Sequence, residues 1–543
     1  MTNVRNDEIR FFWKWMGISL FFHLLTGIFS VGYQAVDEHF QILEFLNFKM
    51  GKTPLEDLPV EFGEKMRPFL QVWLYGGVIK IAHAFGITNP HTWALLIREL
   101  TGILGWLSIV SLAQSALLWF GDLQTQKIAI TALALCWYFP AMHVRPSSEG
   151  LGGSAFVLGI CLLFLTYQHQ KQSRSDVPMQ DRPRPLAPAT SPLRLNFLGV
   201  IPLRSAWCWF LGGALLGLSF EARFQMALML LGAALWFIFQ ARIQLSQWAL
   251  SLFGFGVVFG AGRLADYWGY GTLCFSPWNY FSYNILRGEV SRYGRSPWWD
   301  IFRMSITESW PILGILLAIL VVIGWARFRR HLLTWCHLPF FLVHCMIAHK
   351  EYRFFFPIGN SAPILAILSL VSPKTYGLDF WKRVLTEKKS RFLRPLLLTV
   401  LGFLFINNLV GLVSLSVIPM ARNVYYQEAV SKRVIPGHEF RIYTDDRDPF
   451  VISGSPTYFY RPSEVQVHHV NHLSELSTLP KEARPFWFFH GTFEIPSELQ
   501  ASLPFCSRSF STLPDWIKYF NWNNWLSRAN VWSLYYCSNE SGS

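Results

Sequence analysis

Long apolar runs constrain this chain more than any other feature. Stretches of roughly 15 to 25 residues recur with few charges, which is the length scale of a bilayer crossing. The first, "WMGISLFFHLLTGIFSVGY", covers residues 15–33. The composition follows from these runs: 52% of the 543 residues are hydrophobic, 17% aromatic and only 15% charged. A soluble chain of this size carries about 25% charged residues. The sequence therefore predicts an all-α polytopic membrane protein. Its first run reads as a retained helix, because it is long and no small-residue cleavage site follows it.

Eleven spans are expected, at about 11–32, 94–119, 127–141, 150–167, 196–218, 224–240, 248–264, 311–327, 332–348, 355–371 and 396–419. The stretch 68–86 carries Gln71, Lys80 and His83, and reads as a re-entrant or interfacial segment. The net charge of +13 then sorts the loops. With 68–86 not crossing, the basic connectors "KQSRSDVPMQDRPRP", "RFRRH" and "PKTYGLDFWKRVLTEKKSRFLRP" fall on the cytoplasmic side. Basic loops of this kind account for the charge, so no nucleic-acid partner is expected.

The opposite face collects the unusual motifs: "DEHFQ" at 37–41, "HVRPSSEG" at 143–150, "FEARF" at 220–224, the loop 265–310 and "HKEYRF" at 349–354. The tail after 420 changes character, with short β-prone runs broken by Gly, Pro and Ser. Two domains are thus expected: 1–420 in the membrane, and 421–543 as a small mixed α/β domain on the outer face. Nothing in the tail looks catalytic. Cys506 and Cys537 could form a disulfide if it is exported. The other six cysteines lie in or beside apolar runs and read as small buried hydrophobes.

Asp37 and Glu38 precede an apolar helical pattern, so Asp37 reads as an N-cap. A carboxylate against an apolar wall can also take a proton from a hydroxyl, and the cap would aim it. His349, Lys350, Glu351 and Arg353 stand between two apolar runs, where charges line a wet cavity or pair. Arg353 and Lys350 suit a phosphate, one as a fork and one as a point charge. Arg67, Arg98, Arg145 and Arg223 border apolar runs on the same face, and Glu99, Glu149 and Glu221 stand near three of them, which favours pairing. Asp266 and Trp298 belong to the aromatic loop, a stretch suited to an interface belt or a sugar platform.

These motifs, in this order along roughly residues 10 to 375, resemble the family 22 mannosyltransferases, which have the GT-C fold. The likeness is strongest to the branch of the third GPI mannosyltransferase, and extends to dolichol-pathway α-mannosyltransferases. The resemblance implies a polyprenyl-phosphate hexose donor, typically dolichyl phosphate mannose, and a glycolipid or lipid-linked oligosaccharide acceptor. Transfer would proceed with inversion. It implies Asp37 as catalytic base with Glu38 as its companion. His349, Lys350 and Arg353 would hold the donor phosphate, joined by Arg223 and Arg145; Arg98, a positive charge expected on the same face, is expected to join them. Gln41, Arg67, Glu351, Asp266 and Trp298 are the expected substrate contacts. Phe224 replaces a family proline after Arg223, and "VRPSSEGLGG" departs from the family pattern around Arg145. No cofactor is implied; the paired carboxylates could hold a divalent metal, but none is expected. The setting is an integral membrane one: the ER membrane in a eukaryote, or the inner membrane with the site facing the periplasm in a bacterium. A GT-C enzyme for another lipid-linked sugar is one alternative. A lipid or glycolipid transporter is another, although no internal repeat supports it.

Overall fold

The computed structural model describes residues 2–174, 196–203, 205–379, 393–480 and 484–538. Most of the connector that begins "KQSRSD" and residues 380–392 of the third basic loop lie outside them. Contacts divide the chain into two compact units. The first comprises residues 1–29, 60–78 and 96–417, and the second 30–59, 79–95 and 418–543.

The first unit is helical. Six helical stretches among the described residues of the chain are long and apolar enough to cross a bilayer: 7–29, 90–119, 148–172, 224–241, 245–270 and 394–431, the last of which breaks after Val417. A seventh is broken, with Tyr352–Gly359 and Ala362–Leu370 meeting at 64°. Pro363 opens the second half, where a missing N–H costs nothing. Three further apolar helices, Trp207–Ala222, Leu313–Arg327 and Leu332–Met346, are shorter than a full span. The stretch expected at 127–141 forms Leu123–Ala134 and then the short Phe139–His143. Among the described residues, six or seven of the eleven expected spans are thus long and apolar enough on their own to cross. The chain is an integral membrane protein.

One expected span starts late. Residues 196–202 form a two-stranded hairpin turned at Gly199 with φ +81, and the helix begins only at Trp207. Gly and Pro punctuate "NFLGVIP" too densely for a helix. That helix packs tightly on Leu245–Tyr270. A Cβ at Gly213 would stand 1.9 Å from the Ser251 carbonyl oxygen, and one at Gly254 would stand 2.0 Å from that of Phe210. Small residues give the close backbone approach on which helix packing in lipid relies. The stretch 68–86 forms a 15-residue helix, Leu70–Ala84, about 22 Å long.

The second unit carries a five-stranded mixed sheet: β1 (Phe440–Thr444), β2 (Val465–His469), β3 (Phe486–His490), β4 (Cys506–Ser511) and β5 (Ser533–Cys537). The order is β2-β1-β3-β5-β4. β1 runs parallel to β2 and β3, while β5 runs antiparallel to β3 and β4. Helix Arg422–Ser431 seats Tyr426 and Val430 against Phe440, Ile442, Phe489 and Leu534. Cys506 and Cys537 form a disulfide across the β4–β5 pair. The tail thus has the mixed α/β character expected, but it shares its unit with residues 30–59 and 79–95.

Candidate active site

In the second unit, the early acidic motif folds with the tail. The short helix Val36–Glu38 starts after Ala35, so Ala35, and not Asp37, is its N-cap. The carboxylate that reaches back is that of Glu38. Its Oε1 accepts the amides of Gln34 at 3.2 Å and Ala35 at 3.3 Å. Glu38 is buried, whereas Asp37, in the first turn, is half-buried. The cap expected of Asp37 is therefore not made by it: Glu38 braces the backbone.

The helix then widens into a π-turn, His39–Glu44, which contains Gln41. A π-turn brings residues five apart onto one face, where an α-helix would separate them. Here it lets His39 Nε2 meet Glu44 Oε1 at 2.8 Å. That same oxygen accepts the amides of Tyr458 at 2.8 Å and Phe459 at 3.0 Å, from the tail. Thr53 donates its hydroxyl to Glu44 Oε2 at 2.5 Å. Tyr458 donates to Asp57 at 2.5 Å, and this carboxylate pushes the Tyr458 hydroxyl up to about 12. Tyr460 stacks on His39 at 5.7 Å and on His91 at 4.7 Å. Met420 and Ala421 donate their amides to the Val31 carbonyl, and Asn423 donates to the Tyr33 hydroxyl. The acidic loop is thus clamped at both ends by the tail.

Burial works against ionising Glu44, but the hydrogen bond and charge of His39, with Thr53 and the Phe459 amide, outweigh it and hold the carboxyl below its ordinary value. A group with a depressed folded pKa stabilises the fold above its unfolded pKa and loses that contribution as pH falls through the folded value. The stability advantage of the native chain over Glu44→Gln is therefore expected to be full above about pH 4.5 and to shrink below it. Thermal unfolding followed down from about pH 6 checks this. A pH-independent difference would remove the ionised clamp.

In the first unit, three separate motifs converge. Arg223 ends the helix Trp207–Ala222 in extended backbone and pairs with Glu149. It also donates to the Ser148 hydroxyl at 3.3 Å. Arg353 Nη1 lies 3.6 Å from Glu149. Its fork engages Glu351, with Nε at 2.6 Å and Nη2 at 3.2 Å. His349 Nε2 meets Glu351 at 2.9 Å. Both guanidinium groups lie near the Phe354 ring, at 5.1 and 5.5 Å from its centroid. Residues from "HVRPSSEG", "FEARF" and "HKEYRF" therefore make one cluster. Arg223 and Glu149 are buried, and such charges persist only when paired.

Lys350 is buried and donates to the carbonyls of Ser296 at 3.0 Å and Ile347 at 2.7 Å. Ser296 returns an amide to the Ala348 carbonyl at 2.8 Å. Lys350 thereby ties the aromatic loop to the late motif.

Asp266 belongs to a second charged cluster. It accepts from the Phe69 amide at 2.8 Å, just before the helix Leu70–Ala84, and from Ser276 at 2.5 Å. Arg263 Nη1 lies 2.7 Å from it, while Nη2 donates to both Glu221 oxygens, at 2.6 and 2.9 Å. Glu221 thus pairs with Arg263, and Arg223 with Glu149. Neighbours two apart on a helix do not face each other. Asp266→Ala leaves Arg263 on Glu221 but strands the Phe69 amide and the Ser276 hydroxyl, and is expected to destabilise the fold by ~1–3 kcal/mol, read as a lowered unfolding temperature in detergent.

Arg98 is buried and donates to the Gly27 carbonyl at 2.9 Å. Arg145 is wholly buried. Arg67 pairs with Glu61 at 3.5 Å and lies 5.5 Å from the Tyr280 ring centroid. Gln41 is half-buried and Trp298 exposed. No group of three His, Cys, Asp or Glu among the described residues is arranged to hold a metal.

Residues 15–434 match the model of a family described as "Alg9-like mannosyltransferase family". Among curated proteins, GPI mannosyltransferase 3 of Candida albicans is 27% identical over 124 residues, 23% of this chain and 24% of that protein. The probable Dol-P-Man:Man(7)GlcNAc(2)-PP-Dol alpha-1,6-mannosyltransferase of Schizosaccharomyces pombe is 29% identical over 136 residues, 24% of each chain. The match thus spans about a quarter of the length of these curated relatives. Among solved structures, ArnT from Cupriavidus metallidurans, bound to undecaprenyl phosphate, aligns over 97% of this chain and 98% of its own, with a TM-score of 0.49 and 12% identity. The Archaeoglobus fulgidus oligosaccharyltransferase aligns over 80% and 61%, with a TM-score of 0.45 and 11% identity. The family match covers well over half of the sequence, and the chain belongs to the Alg9-like mannosyltransferase family.

Proposed function

We propose that this protein transfers mannose from a polyprenyl phosphate donor to a glycolipid or lipid-linked glycan, inverting the anomeric carbon. The acceptor hydroxyl attacks that carbon. The bond to the donor phosphate oxygen breaks, and polyprenyl phosphate leaves with the electron pair. Asp37 takes the hydroxyl proton, and Glu38 holds the Asp37 turn through the Gln34 and Ala35 amides. Arg353 and Arg223 neutralise the phosphate as charge builds on it. Glu351 occupies the Arg353 fork and is partly exposed. The donor phosphate takes its place there, while Glu149 keeps both guanidinium groups aimed. His349 acts through Glu351, and Lys350 sets the loop that carries Trp298.

The observation that carries this reading is the Arg223–Glu149–Arg353 cluster, in a chain of a mannosyltransferase family. The catalytic face is the outer one: luminal in the ER of a eukaryote, periplasmic in a bacterium. Mass spectrometry of lipid co-purified with the protein tests the donor. A polyprenyl phosphate hexose, lost in Arg353→Ala, is expected. Retention of the same lipid by that variant would remove Arg353 from the donor site.

A further inference from the structure

The second unit exposes few large apolar side chains, and they are not spread evenly. Four of the nine among its described residues fall within seven positions: Trp516, Tyr519, Phe520 and Trp522, exposed by 57%, 76%, 48% and 76%. Three of these rings touch in series. Trp516 and Phe520 have centroids 5.9 Å apart, and Phe520 and Trp522 5.8 Å.

The loop that presents them is built, not frayed. Asn523 and Asn524 take left-handed backbone with φ near +50, a conformation that Asn tolerates. Asn521 Oδ1 accepts the Leu526 amide at 2.9 Å, and Trp525 donates to the Phe520 carbonyl at 2.8 Å. Arg528 donates to the Asn523 carbonyl at 3.0 Å. On the inner side, Ile517, Trp525 and Leu526 pack with Phe493 and Val531. The segment is amphipathic, and its outer side is aromatic. Its single carboxylate, Asp515, is paired with Arg508, while Lys518 and Arg528 stand exposed.

Contiguous exposed aromatics of this kind mark an interaction surface. We propose that Trp516, Tyr519, Phe520 and Trp522 seat this loop in the headgroup region of the bilayer that anchors the chain, with Lys518 and Arg528 on lipid phosphates. Two observations favour lipid over a soluble partner. Trp and Tyr, flanked by Lys or Arg, are the side chains that settle at a bilayer interface. The apolar helix Leu393–Val417 ends only four residues before the unit's helix Arg422–Ser431. That connection holds a bilayer surface at high effective concentration.

Spin labels on Tyr519→Cys and Trp522→Cys, in the full chain in phospholipid nanodiscs, test this. Ile435→Cys, exposed in the same unit, serves as control. Labels at 519 and 522 are expected to collide more with oxygen and less with a water-soluble nickel chelate than the label at 435. Equal nickel access at all three positions overturns the proposal. So does access that is lost only when a glycolipid acceptor is added, because that outcome makes the loop a sugar platform. If the variants do not fold, the unmodified chain in nanodiscs of a diazirine-tailed lipid supplies the answer. Crosslinks within 515–528, beside those in 393–417, are expected. Crosslinks in 393–417 alone overturn it.

Discussion

Asp37→Asn lowers transfer by ~10²–10⁴-fold, the usual contribution of a positioned general base, and leaves donor binding unchanged. The amide keeps the size and polarity of the side chain but cannot accept the acceptor's proton. The backbone brace in this turn comes from Glu38, through Gln34 and Ala35, so the substitution does not disturb it. Glu38→Gln separates the two roles. It weakens the brace, lowers the unfolding temperature and reduces turnover less than Asp37→Asn does. Equal turnover in Asp37→Asn and the native chain would remove Asp37 as the base.

Arg353→Ala weakens donor binding about tenfold to a hundredfold, the ~1.5–3 kcal/mol of a hydrogen bond to a charged group. Arg353→Lys restores only part of the loss. An ammonium keeps the charge but not the fork that now engages Glu351 through two nitrogens. The effect should appear in the donor's KM and in equilibrium binding of the donor lipid. An unchanged KM with a lower kcat would place Arg353 with the transition state alone. Arg223 is a less clean probe, since its loss strands the buried Glu149 carboxylate.

The sequence made the membrane character legible because bilayer length and apolar composition act locally. It also grouped "HVRPSSEG", "FEARF" and "HKEYRF", since loop charge placed them on one face, and Glu149, Arg223 and Arg353 do meet. What it could not supply were partners set by packing. Glu221 stands beside Arg223 in sequence yet pairs with Arg263, forty-two positions on. Asp37 looked like a cap because it precedes an apolar pattern, but the turn begins two residues earlier and Glu38 reaches back. The clamp on Glu44 was the least legible feature. It needs a π-turn to bring His39 and Glu44 together, and then two amides more than four hundred residues away. A His–x₄–Glu spacing after the acidic pair was its one local sign.

The clamp also alters the reading of the tail. Its sheet holds no group that invites a chemical role, yet Tyr458 and Phe459 fix the segment that carries the proposed base. Glu44→Ala should therefore reduce turnover while leaving donor binding, assigned to Arg223 and Arg353, intact. That split between kcat and donor affinity separates a positioning role from a general loss of fold.

The most direct test is transfer by the purified chain in liposomes. The donor is polyprenyl phosphate β-mannose, ¹³C-labelled at the anomeric carbon, and the acceptor a glycolipid that ends in mannose. The account predicts a new α-mannoside, seen in the one-bond carbon–proton coupling of the labelled carbon, with one free polyprenyl phosphate released per sugar transferred. A β-linked product, or a donor that crosses the bilayer uncleaved, would contradict it.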